Sequence, residues 1–180
     1  MHSRRERRAA GAGHGGRMAK DELQVYMSDH LAGARAGVEL AQQLVRTSDD
    51  PAERRFFESL HAEIDADRQT LEQMLQRGGG HPSVIRQAGG WMAEKLIALK
   101  MRWDDPSGRG LTYFEALETL ALGVLGKRSL WRVLGESRSS VPDLQGWDFA
   151  ELERRAQDQF DRIESRRIRA GKRIFTEEER

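Results

Sequence analysis

The chain of 180 residues has no cysteine, four prolines and two tyrosines. Without a thiol it has no disulfide, zinc finger, iron–sulfur cluster or cysteine nucleophile. Few prolines and few β-branched residues, set against many Ala, Leu, Glu, Gln and Arg, predict helices throughout. No apolar run approaches the ~20 residues that a membrane-spanning helix needs. Charge of one sign is also lacking, since 30 basic residues against 29 acidic ones give a formal net charge of +1. That balance fits a solvated helical surface and argues against a nucleic-acid partner. No apolar segment follows Arg4-Arg5, so the expectation is a cytoplasmic chain with no membrane partner. Walker, Rossmann-glycine and Gly-x-Ser-x-Gly patterns are missing, and no motif names a reaction.

What the chain does have is helical periodicity. Residues 1–20, rich in Arg and Gly and without a hydrophobic period, read as a disordered basic tail, with Met18 a candidate functional start. From 21 to 46, Leu23, Met27, His30, Leu31, Ala34, Val38, Ala41 and Val45 recur at spacings of three and four. Asp50-Pro51-Ala52-Glu53 then has the form of a helix start, with Asp50 as cap and Glu53 closing a capping box. This second helix carries Phe57, Leu60, Ile64, Leu71 and Met74 and stops at Gly78-Gly79-Gly80. A third is expected over 84–103, with Trp91 and Leu96 on its stripe.

Thr112-Tyr113-Phe114-Glu115 reads as a capping box that opens a fourth helix to about Leu134, apolar on nearly all sides and so expected in the middle of the fold. A loop over 137–147 precedes a fifth, highly charged helix over 148–174, capped by Asp148, and a short tail over 175–180. Its narrow stripe of Phe149, Leu152, Ala156, Phe160 and Ile163 places it against the outside of the bundle or a partner chain. Gly33 and Gly37, and Gly123 and Gly126, interrupt helix interiors, for which close helix–helix approach is the favoured cause and a filling ligand or Trp side chain the alternative.

Polar residues interrupt four of the apolar seams: His30, Glu63 with Asp67, Glu94, and Glu118. A carboxylate on a core-facing seam costs several kcal/mol unless a cation, a proton or a metal offsets it. Glu63 and Asp67 stand one turn apart on one face, and Phe114, Leu117, Ala121, Leu122 and Leu125 surround Glu118, which is therefore expected to be buried. The capping box accounts for Glu115.

The stretches Tyr26-Met27-Ser28-Asp29-His30-Leu31-Ala32-Gly33, Glu63-x-x-x-Asp67, Glu94-Lys95-Leu96 and Leu117-Glu118-x-Leu120-x-Leu122-Gly123-Val124-x-Gly126-Lys127 resemble short bacterial members of the ferritin-like superfamily. The resemblance covers roughly residues 21–136. It implies an all-α, ferritin-like antiparallel four-helix bundle of two helix pairs joined by a crossover, with the additional C-terminal amphipathic helix outside it. It also implies an iron or manganese site, for which His30, Glu63, Asp67, Glu94 and Glu118 are the candidate ligands. The family pattern has Glu on the first and third helices and Glu-x-x-His on the second and fourth. Here Ala66 and Ala121 stand where a histidine would follow Glu63 and Glu118, and Glu58-x-x-His61 lies off the seam.

The favoured expectation is therefore a buried network in which His30, Lys95, Lys127 and Arg128 answer the carboxylates, with no cofactor. The corresponding function is non-catalytic, through a homodimer or another protein partner. A metal-binding, carboxylate-bridged redox protein is the alternative.

Overall fold

Helix boundaries fall where the chain supplies caps or breaks. The computed structural model describes residues 3–79 and 109–176, with side chains from 18 to 79 and from 110 to 176. Four α-helices occupy these residues: α1 (Ser3–Thr47), α2 (Pro51–Arg77), α3 (Arg109–Ser137) and α4 (Phe149–Thr176). A 3₁₀ turn at Pro142–Leu144 precedes α4. No strand occurs among the described residues, so the all-α expectation holds. None of these helices is long and apolar enough to cross a membrane. The helix expected over 84–103, with Trp91, Glu94, Lys95 and Trp103, lies outside the described residues.

Several boundaries differ from the periodicity. α1 begins at Ser3, so the stretch expected as a disordered tail continues the helix. It contains no proline, and its Ala, Arg and Glu residues favour helix despite the glycines. Asp50 caps α2 as expected, its side chain accepting from the Ala52 N–H at 3.0 Å, with Pro51 in the first turn. Glu53 does not close a capping box, because its carboxylate accepts from the Tyr113 hydroxyl at 2.9 Å and meets Arg166 at 3.3 Å. α3 starts three residues before Thr112, which is buried inside the helix and caps nothing. Asp148 does cap α4, accepting from the Glu151 N–H at 3.0 Å.

Bonds between side chains give the helix order. Gln24 donates to the Gly78 carbonyl at 2.6 Å and Arg35 meets Glu72 at 3.4 Å, so α1 and α2 form an antiparallel hairpin. Arg128–Glu153 and Arg167–Glu118, at 3.7 and 3.6 Å, mark a second antiparallel hairpin of α3 and α4. Tyr113 reaches Glu53 and Lys127 reaches Asp67, so α2 and α3 run parallel. α2 therefore ends, and α3 begins, at opposite ends of the bundle.

The core comes from all four helices and includes Leu31, Leu44, Phe57, Leu60, Leu117, Trp131 and Ile163, each at most 1% exposed. α4 contributes to that core through one face, since Ala156, Gln159 and Ile163 are wholly buried while Glu151, Arg154 and Asp158 are exposed. Its seam is narrow only because long arginines flank it. α3 is not buried on all sides, for Leu122, Leu125 and Val133 face outward, 36–51% exposed.

Tight packing against a neighbouring side chain occurs at Gly135 and Gly171. A Cβ on Gly135 would lie 3.0 Å from Phe149 Cβ, and one on Gly171 3.1 Å from the Phe114 ring. Replacing Asp50 by alanine removes the acceptor for an orphan N–H, and chemical denaturation is expected to show a loss of about 1 kcal/mol.

Candidate functional site

Asp67 lies on the buried seam of α2, one turn from both Ile64 and Leu71, and is 1% exposed. An ionised carboxylate in that position requires charged or multiple donors. It receives them from two other helices. Lys127 of α3 donates to Oδ2 at 2.6 Å, the Gln159 amide of α4 donates to the same oxygen at 3.1 Å, and Arg155 of α4 donates to Oδ1. Lys127 also donates to Gln159 Oε1, so the glutamine amide bridges cation and anion. Burial pushes the Lys127 ammonium below the usual lysine range, and the adjacent Asp67 carboxylate opposes that shift.

One turn earlier on α2, Glu63 takes both Nη groups of Arg162 from α4 and the Ser59 hydroxyl at 3.1 Å. Burial pushes its carboxyl up, but the hydrogen bond and charge of Arg162 outweigh that and hold it below the usual range. Further along, Arg166 lies over the Phe56 ring, 3.2 Å from its centroid, and meets Glu53. A row of α4 arginines, 155, 162 and 166, therefore faces a row of α2 carboxylates, 67, 63 and 53.

His30 stands apart from this row. Its ring packs edge-on against Tyr26 at 4.7 Å and lines a cavity of about 380 Å³ between α1, α2 and α3, which Asp67 and Lys127 also line. Burial pushes the imidazole below its ordinary value, with Asp29 opposing.

The predicted ligand set is thus only partly assembled. Glu63 and Asp67 share a face and His30 looks on Asp67 across the cavity, whereas Glu94 lies outside the described residues. Glu118 is not buried: its side chain is 49% exposed and pairs with Arg167 at 3.6 Å. Its apolar neighbours Leu122 and Leu125 face solvent with it, so an apolar sequence context did not mean an interior position. Of the expected cations, Lys127 does answer a carboxylate, and Arg128 pairs with Glu153 at the surface.

Arg155, Gln159 and Arg162 are functional residues that the sequence reading missed. A signal existed for one of them: Gln159 lies three residues after Ala156 and four before Ile163, on the buried line of α4. The arginines gave none, because they flank that line and reach inward only at their tips.

The described part of the candidate ligand set does not suit iron or manganese. Asp67 already holds two cations, and a divalent ion beside it would face the like charge of Lys127 and Arg155. Among the described residues no group of three or more His, Asp and Glu converges as a metal ion would require.

Removing Asp67 alone leaves buried cations unanswered, and Asp67→Ala is expected to lower stability by about 3–5 kcal/mol in denaturant titration. The double variant Asp67→Leu/Lys127→Met should lose less than Asp67→Ala, because it also removes the buried ammonium. Glu63 has a lowered folded pKa, so its stabilising contribution is present above the unfolded value near 4.5 and is lost as pH falls through the folded one. The gap in thermal midpoint between the parent chain and Glu63→Gln should therefore shrink below about pH 4.5. No family model, curated protein or solved structure matches the chain.

Proposed function

We propose that this chain is a non-catalytic, ferritin-like bundle protein of the cytoplasm that acts by self-association, its centre closed by an ion-pair network in place of a dimetal site. The helix order supports the ferritin-like assignment: two antiparallel hairpins with α2 and α3 parallel require one end-to-end connection, as in bundles with a single long crossover. The Asp67 carboxylate supports a structural centre, because both of its oxygens already meet protein donors, two of them cationic.

The outer side of α3 carries the case for self-association. Leu111, Leu122, Leu125 and Val133 recur at helical spacing and are each at least 36% exposed. Glu115 and Glu118 precede the central Leu122–Leu125 pair, and Arg128 and Arg132 follow it. A second copy packed antiparallel on this stripe sets the acidic end of each helix against the basic end of the other, the self-complementarity that a two-fold interface demands. A contiguous exposed apolar row is a mark of an interaction surface.

Sedimentation velocity on the full chain is expected to show a dimer, and Leu125→Glu or Val133→Asp to convert it to monomer without loss of helix content. A parent chain that sediments as a monomer at high micromolar concentration, or a dimer unaffected by both substitutions, would refute the proposal.

A further inference from the structure

The cavity between α1, α2 and α3 has features that neither the polar network nor the dimer stripe uses. Its volume of about 380 Å³ lies within the range of ~300–1,000 Å³ typical of small-molecule sites. Gly33 of α1 and Gly126 of α3 both line it. A helix-interior glycine costs stability relative to alanine, and that cost normally has a compensating contact. Neither residue shows one among the described residues, where a Cβ at Gly33 or Gly126 would meet nothing within 4 Å. Neither has a positive φ. Close packing against the described helices therefore does not explain them, and what they provide between those helices is open space on two walls.

The polar groups around that space are specific. Trp131 is fully buried and lines the cavity, and its indole N–H has no acceptor among the described residues. A buried donor without a partner is costly, and a ligand acceptor would remove the cost. The cations in the wall are answered locally. Lys127 is held by Asp67, and Arg68 by Asp65 and Glu72 at 2.7 and 2.8 Å. Asp29 lies next to His30, which supplies a second hydrogen-bonding group. No unanswered cation waits for an anionic ligand among the described residues, and apart from the Tyr26 ring the rest of the wall is mostly aliphatic, including Ile64, Leu71 and Leu130.

We infer that this cavity is a binding site for a mainly apolar small molecule without negative charge that carries one hydrogen-bond acceptor, with Trp131 as donor and Gly33 and Gly126 as the residues that keep the space open. The site borders the proposed dimer stripe at Leu122, whereas Leu125 and Val133 do not line it.

The test is titration of the full chain with 6-propionyl-2-(dimethylamino)naphthalene, a neutral naphthalene ketone whose emission shifts to the blue on leaving water. Saturable binding at one site per chain, with a blue shift, is expected. Gly33→Ala/Gly126→Ala should raise the thermal midpoint, because alanine favours helix, while weakening the dye by about threefold or more. Gly126→Leu should weaken it by about tenfold or more. Leu125→Glu should leave dye binding unchanged, so failure of the dimer proposal and failure of this one are separable. Absence of saturable binding overturns the inference. So does binding of unchanged strength in the alanine pair, a variant that adds only methyl groups in open space and retains the fold.

Discussion

One buried carboxylate sets the terms for the rest of this bundle. Asp67 cannot remain charged among Ile64, Leu71 and Leu120 unless donors arrive from elsewhere, and the donors come from α3 and α4. Apolar side chains tolerate many relative positions of two helices, whereas an ammonium and a guanidinium must meet two oxygens at hydrogen-bonding distance. Burial itself is not strongly favourable for such a group, and an apolar substitute of similar size is often as stable. Its contribution lies in restricting which arrangements of α2, α3 and α4 are acceptable. The remaining α2–α4 bridges at Glu63 and Glu53 extend the same restriction along the helices.

Much of this was legible in the sequence. Spacings of three and four placed Met27, Leu31, Phe57, Leu60 and Leu71 in the core, and Asp50-Pro51 marked the start of α2. Asp67 was recognisable as a buried acid because its neighbours one turn away are both aliphatic. Glu118 had the same kind of context and is exposed, since a helix with more apolar residues than its neighbours can cover leaves some outside. The identity of Asp67's partners was not legible. Arg155 and Arg162 sit beside the α4 stripe, and only the length of their side chains brings them to α2. The N-terminal boundary was misread for a related reason: absence of a hydrophobic period says that a segment has nothing to pack on, not that its backbone avoids the helix.

The α4 arginines also explain how a helix of low hydrophobicity contributes to the core. Ala156, Gln159 and Ile163 leave only a thin buried line, and the guanidinium groups of Arg155 and Arg162 along one edge of it bind α2 instead of solvent alone. The aliphatic stems of these side chains cover apolar surface while their heads meet carboxylates. Arg166 does both at once, lying over Phe56 while facing Glu53.

The parallel pair α2 and α3 carries a further consequence. Tyr113–Glu53 and Lys127–Asp67 join residues separated by the same 60 positions, so the two bonds are matched points on two scales laid side by side. They stand about four helical turns apart. Sliding one helix past the other by a single turn breaks both bonds together, and no intermediate offset restores one while sparing the other. These helices thus have one permitted alignment, read at two places, and local opening at either end leaves the other mark to return the chain to it.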